Sequence, residues 1–160
     1  PLQAVTARRA PVVEEAARTV LGQPVAGDPV VGQPFGVVQG LLDVDEAEVD
    51  DFDALVLPGG TLNADAGRIE EGVLRFVKAF HETGRPVAAI CHAPWILIDA
   101  GLASGTKLTS YVSCKADLVN AGADWVDEPL VVDGNIITSR NPGDLEQFNA
   151  AIIEATANAR

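Results

Sequence analysis

The run Ala88-Ala89-Ile90-Cys91-His92-Ala93-Pro94-Trp95 constrains the fold of this chain more than any other feature. Residues 86–90 form a short apolar stretch that predicts a buried β-strand, and this strand runs directly into a cysteine. A buried helix is predicted almost at once, over residues 95–98, with Gly101 as its end. Such a junction holds a nucleophile in a tight turn at the carboxyl end of a strand.

The segments around this junction alternate between strand and helix patterns. Residues 54–57 predict a buried strand that ends at Pro58-Gly59-Gly60. The next segment has apolar residues at helical spacing and ends at Gly84; these residues are Ile69, Val73, Phe76, Val77 and Phe80. The order strand, helix, strand, helix predicts a mostly parallel sheet with helices on both faces, which is the α/β class.

The C-terminal third continues the pattern. A strand is predicted over residues 108–112 and a helix over 115–121. Asp133-Gly134 predicts a hairpin turn between two short strands, because both residue types tolerate positive φ. Pro142 is predicted as a first helical residue with Asn141 as its cap, and a closing helix follows. The apolar face of that helix consists of Leu145, Phe148, Ile152 and Ala155.

Residues 1–50 differ from the rest of the chain. Residues 11–21 predict a short helix, and Gly and Pro then recur every few residues up to Gly40, which interrupts regular structure. No buried strand is predicted before residue 50. The chain contains no Met, so we expect that it does not begin at the translation start.

Composition excludes several classes of function. The 160 residues predict one domain, and 23 acidic against 11 basic residues give a net charge of −12. A negative field repels phosphate backbones and anionic lipids, so we expect neither a nucleic-acid nor a membrane partner. No apolar run reaches the roughly 18 residues of a bilayer span, and no signal peptide is visible. The two cysteines do not form a disulfide pattern, which predicts a reduced, cytoplasmic location.

Cys91 and His92 are the main candidates for chemistry. At the predicted turn, the helix N-terminus and a nearby imidazolium can lower the pKa of the thiol, and backbone amides can stabilise an oxyanion. His92 can act as the base or partner of the thiol. The alternatives are that Cys91 is a small buried apolar residue and that His92 is a surface residue beyond the strand.

The turn Pro58-Gly59-Gly60 is the second feature of interest. Two glycines after a strand allow backbone amides to approach a ligand closely, which suits an oxyanion hole, although an ordinary tight turn has the same pattern. In a parallel sheet the ends of the strands 54–57 and 86–90 lie side by side. We therefore expect Gly59-Gly60 and Cys91 to face one crevice.

These motifs resemble the PfpI family, which belongs to the class I glutamine-amidotransferase-like superfamily and contains peptidase-like and deglycase-like enzymes. The similarity begins with Asp53-Ala54-Leu55-Val56-Leu57-Pro58-Gly59-Gly60 and continues through the Cys91 junction. It extends over Leu108-Thr109-Ser110-Tyr111 and over the segment from Asp117 to Asp127. It ends with the segment Val131 to Leu145, so that residues 51–155 form the family-like core of a single domain, 1–160.

The resemblance implies a flavodoxin-like three-layer sandwich. It implies Cys91 as the nucleophile, His92 as its partner, and the amides of Gly60 and His92 as oxyanion donors. The substrates implied are small aldehydes, glycated side chains or peptides. Homo-dimers or hexamers are the assemblies implied, with neither a metal nor an organic cofactor.

The sequence also departs from the family pattern. The usual first strand and the glutamate after it are not apparent, because Pro1-Leu2-Gln3-Ala4-Val5 looks like the helix that follows that strand. Glu14 and Glu15 are poorly placed to replace the glutamate and are interpreted as a solvated helix face. Some members of the family instead take a glutamate from a second subunit. Ala64 lies nearest the corresponding position in this sequence. Asp65 is the adjacent acid and therefore a candidate third member, with a capping or surface role as the alternative. Ala93 replaces the usual glycine after Cys-His.

The predicted function is thus that of a cysteine hydrolase acting on carbonyl groups, of the deglycase or glyoxalase type or the peptidase type, with a role in stress response. The alternatives are a redox or stress sensor, a catalytically silent interaction domain, and an accessory domain of a larger enzyme. Cys114 is interpreted as an uninvolved thiol and His81 as a surface histidine. Trp95 and Trp125 are interpreted as packing residues.

Overall fold

The structure is a computed structural model that describes residues 5–7, 44 and 47–159. The helix predicted over 11–21, the Gly- and Pro-rich stretch after it, and Glu14 and Glu15 lie outside the described residues.

A five-stranded sheet forms the centre of the described part of the chain, in the spatial order β1-β2-β3-β7-β6. Its strands are β1 (Val5–Ala7), β2 (Ala54–Leu57), β3 (Val87–Ile90), β6 (Leu130–Asp133) and β7 (Ile136–Ser139). The central pairs β2–β3 and β3–β7 are parallel, whereas β1 and β6 pair antiparallel at the two edges. Two further strands, β4 (Lys107–Leu108) and β5 (Asp124–Trp125), form a separate parallel pair.

Helices connect these strands in the order that the sequence pattern predicts. They are α1 (Thr61–Gly67), α2 (Glu71–Glu82), α3 (Pro94–Asp99), α4 (Lys115–Asn120) and α5 (Leu145–Asn158). Short 3₁₀ helices cover Val49–Asp51, Val112–Cys114 and Pro142–Asp144. The last of these begins at Pro142 and is capped by Asn141, whose side chain accepts a hydrogen bond from the Gly143 amide at 2.9 Å, as predicted.

The central strands are buried on both faces, and alternate residues enter two different apolar cores. The core against α2 and α3 contains Leu55, Leu57, Val87 and Ala89. The core against α5 contains Val56, Ala88 and Ile90. Side chains alternate between the two faces of a strand, so a continuous apolar run serves both cores at once. The predicted α/β sandwich, with a sheet between helical layers, is confirmed.

The structure has an edge strand before residue 50, where the sequence predicts no buried strand. Val5–Ala7 is a strand, and it pairs antiparallel with β2, with Val5 opposite Val56 and Ala7 opposite Ala54. The helix interpretation of the first five residues therefore fails at Val5. The edge of β2 offers a row of backbone groups for pairing, and the β-branched Val and Thr suit a strand.

The strand predicted over residues 108–112 is also wrong after Leu108. The amide of Thr109 donates to the hydroxyl of Thr138 at 3.0 Å, and the amide of Tyr111 donates to the carbonyl of Cys91 at 2.8 Å. Because these two amides donate to a side chain and to the turn after β3, they cannot donate to a neighbouring strand in a β-sheet. The chain therefore leaves β4 and runs past the end of β3.

Two details of the remaining elements differ from the prediction. Ile69 precedes α2 and is 77% exposed, so it does not belong to the buried face of that helix. The hairpin turn consists of Gly134 and Asn135, since Asp133 is still paired with Ile136. Gly134 alone adopts positive φ there, at 58°, which matches a turn whose first central residue is glycine.

No helix among the described residues combines the length and the apolar character that a bilayer span requires.

Replacing Phe80 tests the importance of the core between the sheet and α2. Phe80 is fully buried, so Phe80→Ala removes apolar contacts and leaves a cavity that costs about 3–5 kcal/mol of unfolding free energy. Urea unfolding followed by circular dichroism measures this loss. The exposed Ile69→Ala serves as the control and changes stability by less than about 0.5 kcal/mol. Equal losses in the two variants would contradict the burial described here.

Candidate active site

Cys91 lies on a sharp turn between β3 and α3 and has a backbone conformation that side chains rarely adopt. Its φ is 65°, and it is the one described non-glycine residue with positive φ. Both of its backbone polar groups are hydrogen-bonded: the amide donates to the Ser139 carbonyl at 3.0 Å, and the carbonyl accepts from the Tyr111 amide at 2.8 Å. These bonds hold the left-handed residue in place and fix the direction of its side chain.

Gly59 allows the turn after β2 to approach this cysteine. A Cβ atom at Gly59 would lie 2.8 Å from the Cys91 Cβ and 3.2 Å from the Ile90 carbonyl oxygen. Real side chains do not tolerate such contacts, so only glycine fits here without a shift of the backbone. The expectation that the two strand ends face one another is therefore confirmed.

The sulfur of Cys91 is half-buried and has polar neighbours on two sides. The Nδ1 atom of the His92 imidazole lies 3.1 Å from the Sγ atom. The backbone amides of Gly60 and His92 donate hydrogen bonds to the sulfur. One base and two amide donors thus converge on a single thiol, in the arrangement that nucleophilic attack on a carbonyl requires.

Burial decides the resting protonation of this pair. It raises the pKa of the Cys91 thiol above its ordinary value, and the amides of Gly60 and His92 offset this only in part. Burial also lowers the pKa of His92. Both shifts favour the neutral thiol and the neutral imidazole, because loss of water disfavours the charged form of each. The expectation that the turn lowers the thiol pKa is therefore not supported; its two amides do act in that direction but are outweighed.

The imidazole of His92 is enclosed by aromatic rings and a hydroxyl group. Tyr111 stacks on it with a centroid distance of 4.9 Å and an interplanar angle of 24°, and Trp95 contacts it edge-on at 5.3 Å. The Oγ atom of Ser113 lies 3.2 Å from the His92 Nε2 atom. Both nitrogens of the ring therefore have a partner within the chain.

Trp95 is held by polar contacts that join three helices. Its indole N–H donates to the Asp117 carboxylate of α4 at 2.8 Å, and the guanidinium of Arg68 lies 5.4 Å from the ring centroid. Arg68, at the end of α1, also pairs with Asp99 of α3 at 2.7 Å. Trp95 was interpreted as a packing residue, and it does pack, but one of its neighbours is the ring of His92.

The structure brings together four of the predicted groups and leaves one, Asp65, apart. Cys91, His92 and the amides of Gly60 and His92 form one cluster. Asp65 lies on the exposed side of α1, and it is not among the groups that act on Cys91 within the described chain. Cys114 is completely buried in the core, which raises its pKa to about 11. The described residues contain no group of three or more His, Cys, Asp or Glu that could hold a metal ion.

The sequence analysis missed Tyr111 and Ser113 as neighbours of His92. The predicted strand 108–112 includes Tyr111, whereas Ser113 lies between that strand and the predicted helix 115–121, and neither residue has a spacing relation to His92. One signal was available: the polar run Thr109-Ser110-Tyr111 interrupts an otherwise apolar strand, and interrupted strands in open α/β sheets often end at the ligand crevice.

An α/β sandwich with a thiol on a strained strand-to-helix turn, faced by two amides and an imidazole, defines a class of proteins built around one reactive cysteine. The chain belongs to the DJ-1/PfpI family, whose model matches residues 13–155. The resemblance seen in the sequence is thereby confirmed.

The relatives include proteins named for their activity. The chain is 48% identical over 104 residues to Deglycase PfpI of Pyrococcus furiosus, covering 65% of this chain and 62% of that protein. It is 44% identical over 124 residues to the putative cysteine protease YraA of Bacillus subtilis, covering 78% of this chain and 73% of that one. The match thus spans less than two thirds of the length of the deglycase.

Solved structures show the same fold. A two-domain protein of Anabaena variabilis, with DJ-1/ThiJ/PfpI-like and ferritin-like domains, is 47% identical with a TM-score of 0.67, covering 69% of this chain and 32% of that chain. DJ-1beta of Drosophila melanogaster is 36% identical with a TM-score of 0.62, covering 72% and 63% respectively.

Substituting Gly59 tests the close packing of the two turns. Gly59→Ala forces a methyl group against Cys91, so we expect a loss of about 1–3 kcal/mol in unfolding free energy together with a changed alkylation rate at Cys91. Gly84→Ala is the matched control: its Cβ meets nothing within 4 Å, but its φ of 78° makes alanine cost about 1–2 kcal/mol. This control should leave the alkylation rate unchanged. Identical alkylation in both variants would show that Gly59 does not position the thiol.

The two thiols should differ in a titration with Ellman's reagent. One thiol per chain reacts in the native protein, because Cys91 is half-buried and Cys114 fully buried, and both react after denaturation. Since burial raises the pKa of Cys91, its alkylation rate should increase with pH to a midpoint above about 8.5, the ordinary thiol value. A midpoint below that value would mean that the thiolate is stabilised at rest.

Proposed function

We propose that this chain is a cysteine-dependent hydrolase that acts on carbonyl groups. The observation that carries the proposal is the convergence of the His92 Nδ1 atom, at 3.1 Å, and two backbone amides on the Cys91 sulfur. A buried structural cysteine needs none of these groups. Cys91 is also partly exposed, whereas Cys114 is buried.

The proposed reaction starts from the neutral pair. As the Cys91 sulfur attacks the carbonyl carbon, a C–S bond forms, the C=O π electrons move to oxygen, and the thiol proton passes to Nδ1 of His92. The amides of Gly60 and His92 then stabilise the new oxyanion. The imidazolium returns the proton to the oxyanion of an aldehyde or to the leaving nitrogen of an amide. With an amide, water then attacks the resulting thioester carbon, the C–S bond breaks and the sulfur recovers its proton. With a 2-oxoaldehyde such as methylglyoxal, the hemithioacetal first isomerises, as a proton moves from its C1 to the neighbouring carbonyl carbon through an enediol, and water then cleaves the 2-hydroxyacyl thioester and restores the thiol.

Glycated side chains and small aldehydes are the substrates that we propose first. The support is the name of the P. furiosus relative, a deglycase, and its 48% identity. Peptides are the second class, supported by the name of the B. subtilis relative. Both substrate classes present a carbonyl carbon to the Cys91 thiol and an oxygen to the two amides. They differ in what is released from that carbon, so the same thiol and amides would serve both.

We further propose that the working form is a homo-dimer or a hexamer. Leu62 of α1 is 88% exposed and lies near Asp65 on the same helix, and an apolar residue so exposed favours contact with another surface. In such an assembly Asp65 would reach a site only in a neighbouring subunit.

The alternative of a redox sensor is less well supported. Redox-sensing cysteines are typically accessible thiols of low pKa, whereas burial raises the pKa of Cys91. A catalytically silent domain does not require an imidazole and two amides around its thiol.

Cys91→Ser tests the proposed function. We expect loss of at least about 100-fold in methylglyoxal consumption and in removal of glycation adducts, because a serine hydroxyl is far harder to deprotonate than a thiol. Cys114 remains in this variant, so any surviving turnover would show that a different group performs the reaction. Thermal unfolding of both proteins controls for loss of structure. A wild-type protein without turnover on aldehydes, glycated peptides or casein would overturn the proposal.

A further inference from the structure

The second nitrogen of His92 has a partner that the proposed reaction does not yet use. The Nε2 atom lies 3.2 Å from the hydroxyl oxygen of Ser113, on the side of the ring opposite the thiol. The Nδ1 atom lies 3.1 Å from the Cys91 sulfur. The ring therefore bridges a thiol and a hydroxyl group within one chain.

This arrangement selects one form of the neutral imidazole. A neutral histidine carries one N–H, and the other nitrogen accepts. To take the proton of the thiol, Nδ1 must be the acceptor, so the hydrogen must be on Nε2. The Ser113 hydroxyl supports this tautomer by accepting from Nε2–H. A hydroxyl can also donate to a bare Nε2, so the direction of this hydrogen bond is set by the thiol, whose proton needs Nδ1 as its acceptor. The Ser113 hydroxyl continues to accept when the ring becomes an imidazolium during the reaction.

The ring orientation supports the same conclusion. Tyr111 and Trp95 fix the plane of the His92 ring by stacking and by an edge contact, but neither distinguishes the ring from its 180° flip. The flip would place carbon atoms where Nδ1 and Nε2 now lie and would break both polar contacts. Cys91 and Ser113 together therefore favour the ring orientation in which Nδ1 faces the sulfur.

Ser113 is held at this distance by the fold. It lies in the 3₁₀ helix Val112–Cys114, which follows directly on Tyr111. Tyr111 donates its amide to the carbonyl of Cys91 at 2.8 Å, and Cys114 is anchored in the core with no exposed surface. The segment is thus tied at one end to the turn that carries the thiol and at the other end to the core.

We propose that Ser113 is a positioning residue, which holds His92 in the Nε2–H tautomer so that Nδ1 can accept the thiol proton. The inference rests on the proposed function, since it concerns the base of that reaction. It places a hydroxyl of the same chain beside the histidine, whereas the sequence analysis named only Asp65 as a candidate third member of the site.

Nitrogen NMR tests this proposal without reference to turnover. The chain contains two histidines, so the signals that disappear in His92→Gln belong to His92. We expect Nε2 to be the protonated nitrogen in the wild type at neutral pH. In Ser113→Ala we expect a mixture of the two tautomers, and in Ser113→Thr, which keeps the hydroxyl, we expect the wild-type signals again. Unchanged His92 signals in Ser113→Ala would overturn the proposal.

Kinetics provide the second readout. Ser113→Ala should lower kcat for methylglyoxal by about 3- to 10-fold, the range expected for one lost hydrogen bond, and leave KM unchanged because Ser113 does not face the carbonyl. Ser113→Thr should restore kcat. The exposed Ser104→Ala is the matched control and should behave as the wild type. A fall in kcat in Asp65→Asn but not in Ser113→Ala would assign the role to Asp65 and overturn the inference. Absence of turnover in the wild type would instead remove the proposed function, and the NMR result would still decide the role of Ser113.

Discussion

The backbone of Cys91 is the point on which the rest of the site depends. A left-handed conformation is unfavourable for a residue with a side chain by about 1–2 kcal/mol, and it persists only where surrounding bonds enforce it. Here β7 supplies one bond through the Ser139 carbonyl, and the segment after β4 supplies the other through the Tyr111 amide. Three separate parts of the chain therefore meet at one residue, and Gly59 allows a fourth to approach. The geometry around the Cys91 sulfur therefore depends on four segments that are far apart in the sequence.

The surroundings of the sulfur combine two opposing effects. Burial disfavours the thiolate, whereas the amides of Gly60 and His92 favour it. These donors remain available to an oxyanion once sulfur has formed a bond to carbon, because the sulfur then no longer carries the charge. A site of this kind stabilises negative charge better during the reaction than before it, which is what distinguishes catalysis from tight binding.

Much of this arrangement could be predicted from the sequence, and the reason is local. The short apolar runs at residues 54–57 and 87–90 allow few alternatives to buried parallel strands, and each ends in residues that stop a strand. The sequence therefore places Gly59-Gly60 and Cys91-His92 at one edge of the predicted sheet. Asn141 was identified as a cap because capping depends on the next two or three residues only.

The parts that could not be predicted depend on contacts between distant segments. Residues 109–112 have the composition of a strand, but the amides of Thr109 and Tyr111 donate to Thr138 and to Cys91 instead of to a neighbouring β-strand. Val5–Ala7 forms a strand because β2 offers an edge to it, which its own sequence does not reveal. The burial of Cys91, which raises the pKa of its thiol, also depends on the finished fold, because it is set by how deeply distant segments enclose the residue.

The neutral state of the Cys91–His92 pair has a consequence for the durability of the protein. Peroxides and stray electrophiles attack thiolates far faster than thiols. Under the proposed function, a Cys91 sulfur that keeps its proton until a carbonyl compound arrives would be less open to such attack in the intervals between encounters. Its half-buried thiol would then be oxidised irreversibly more slowly than a thiol that is ionised at rest.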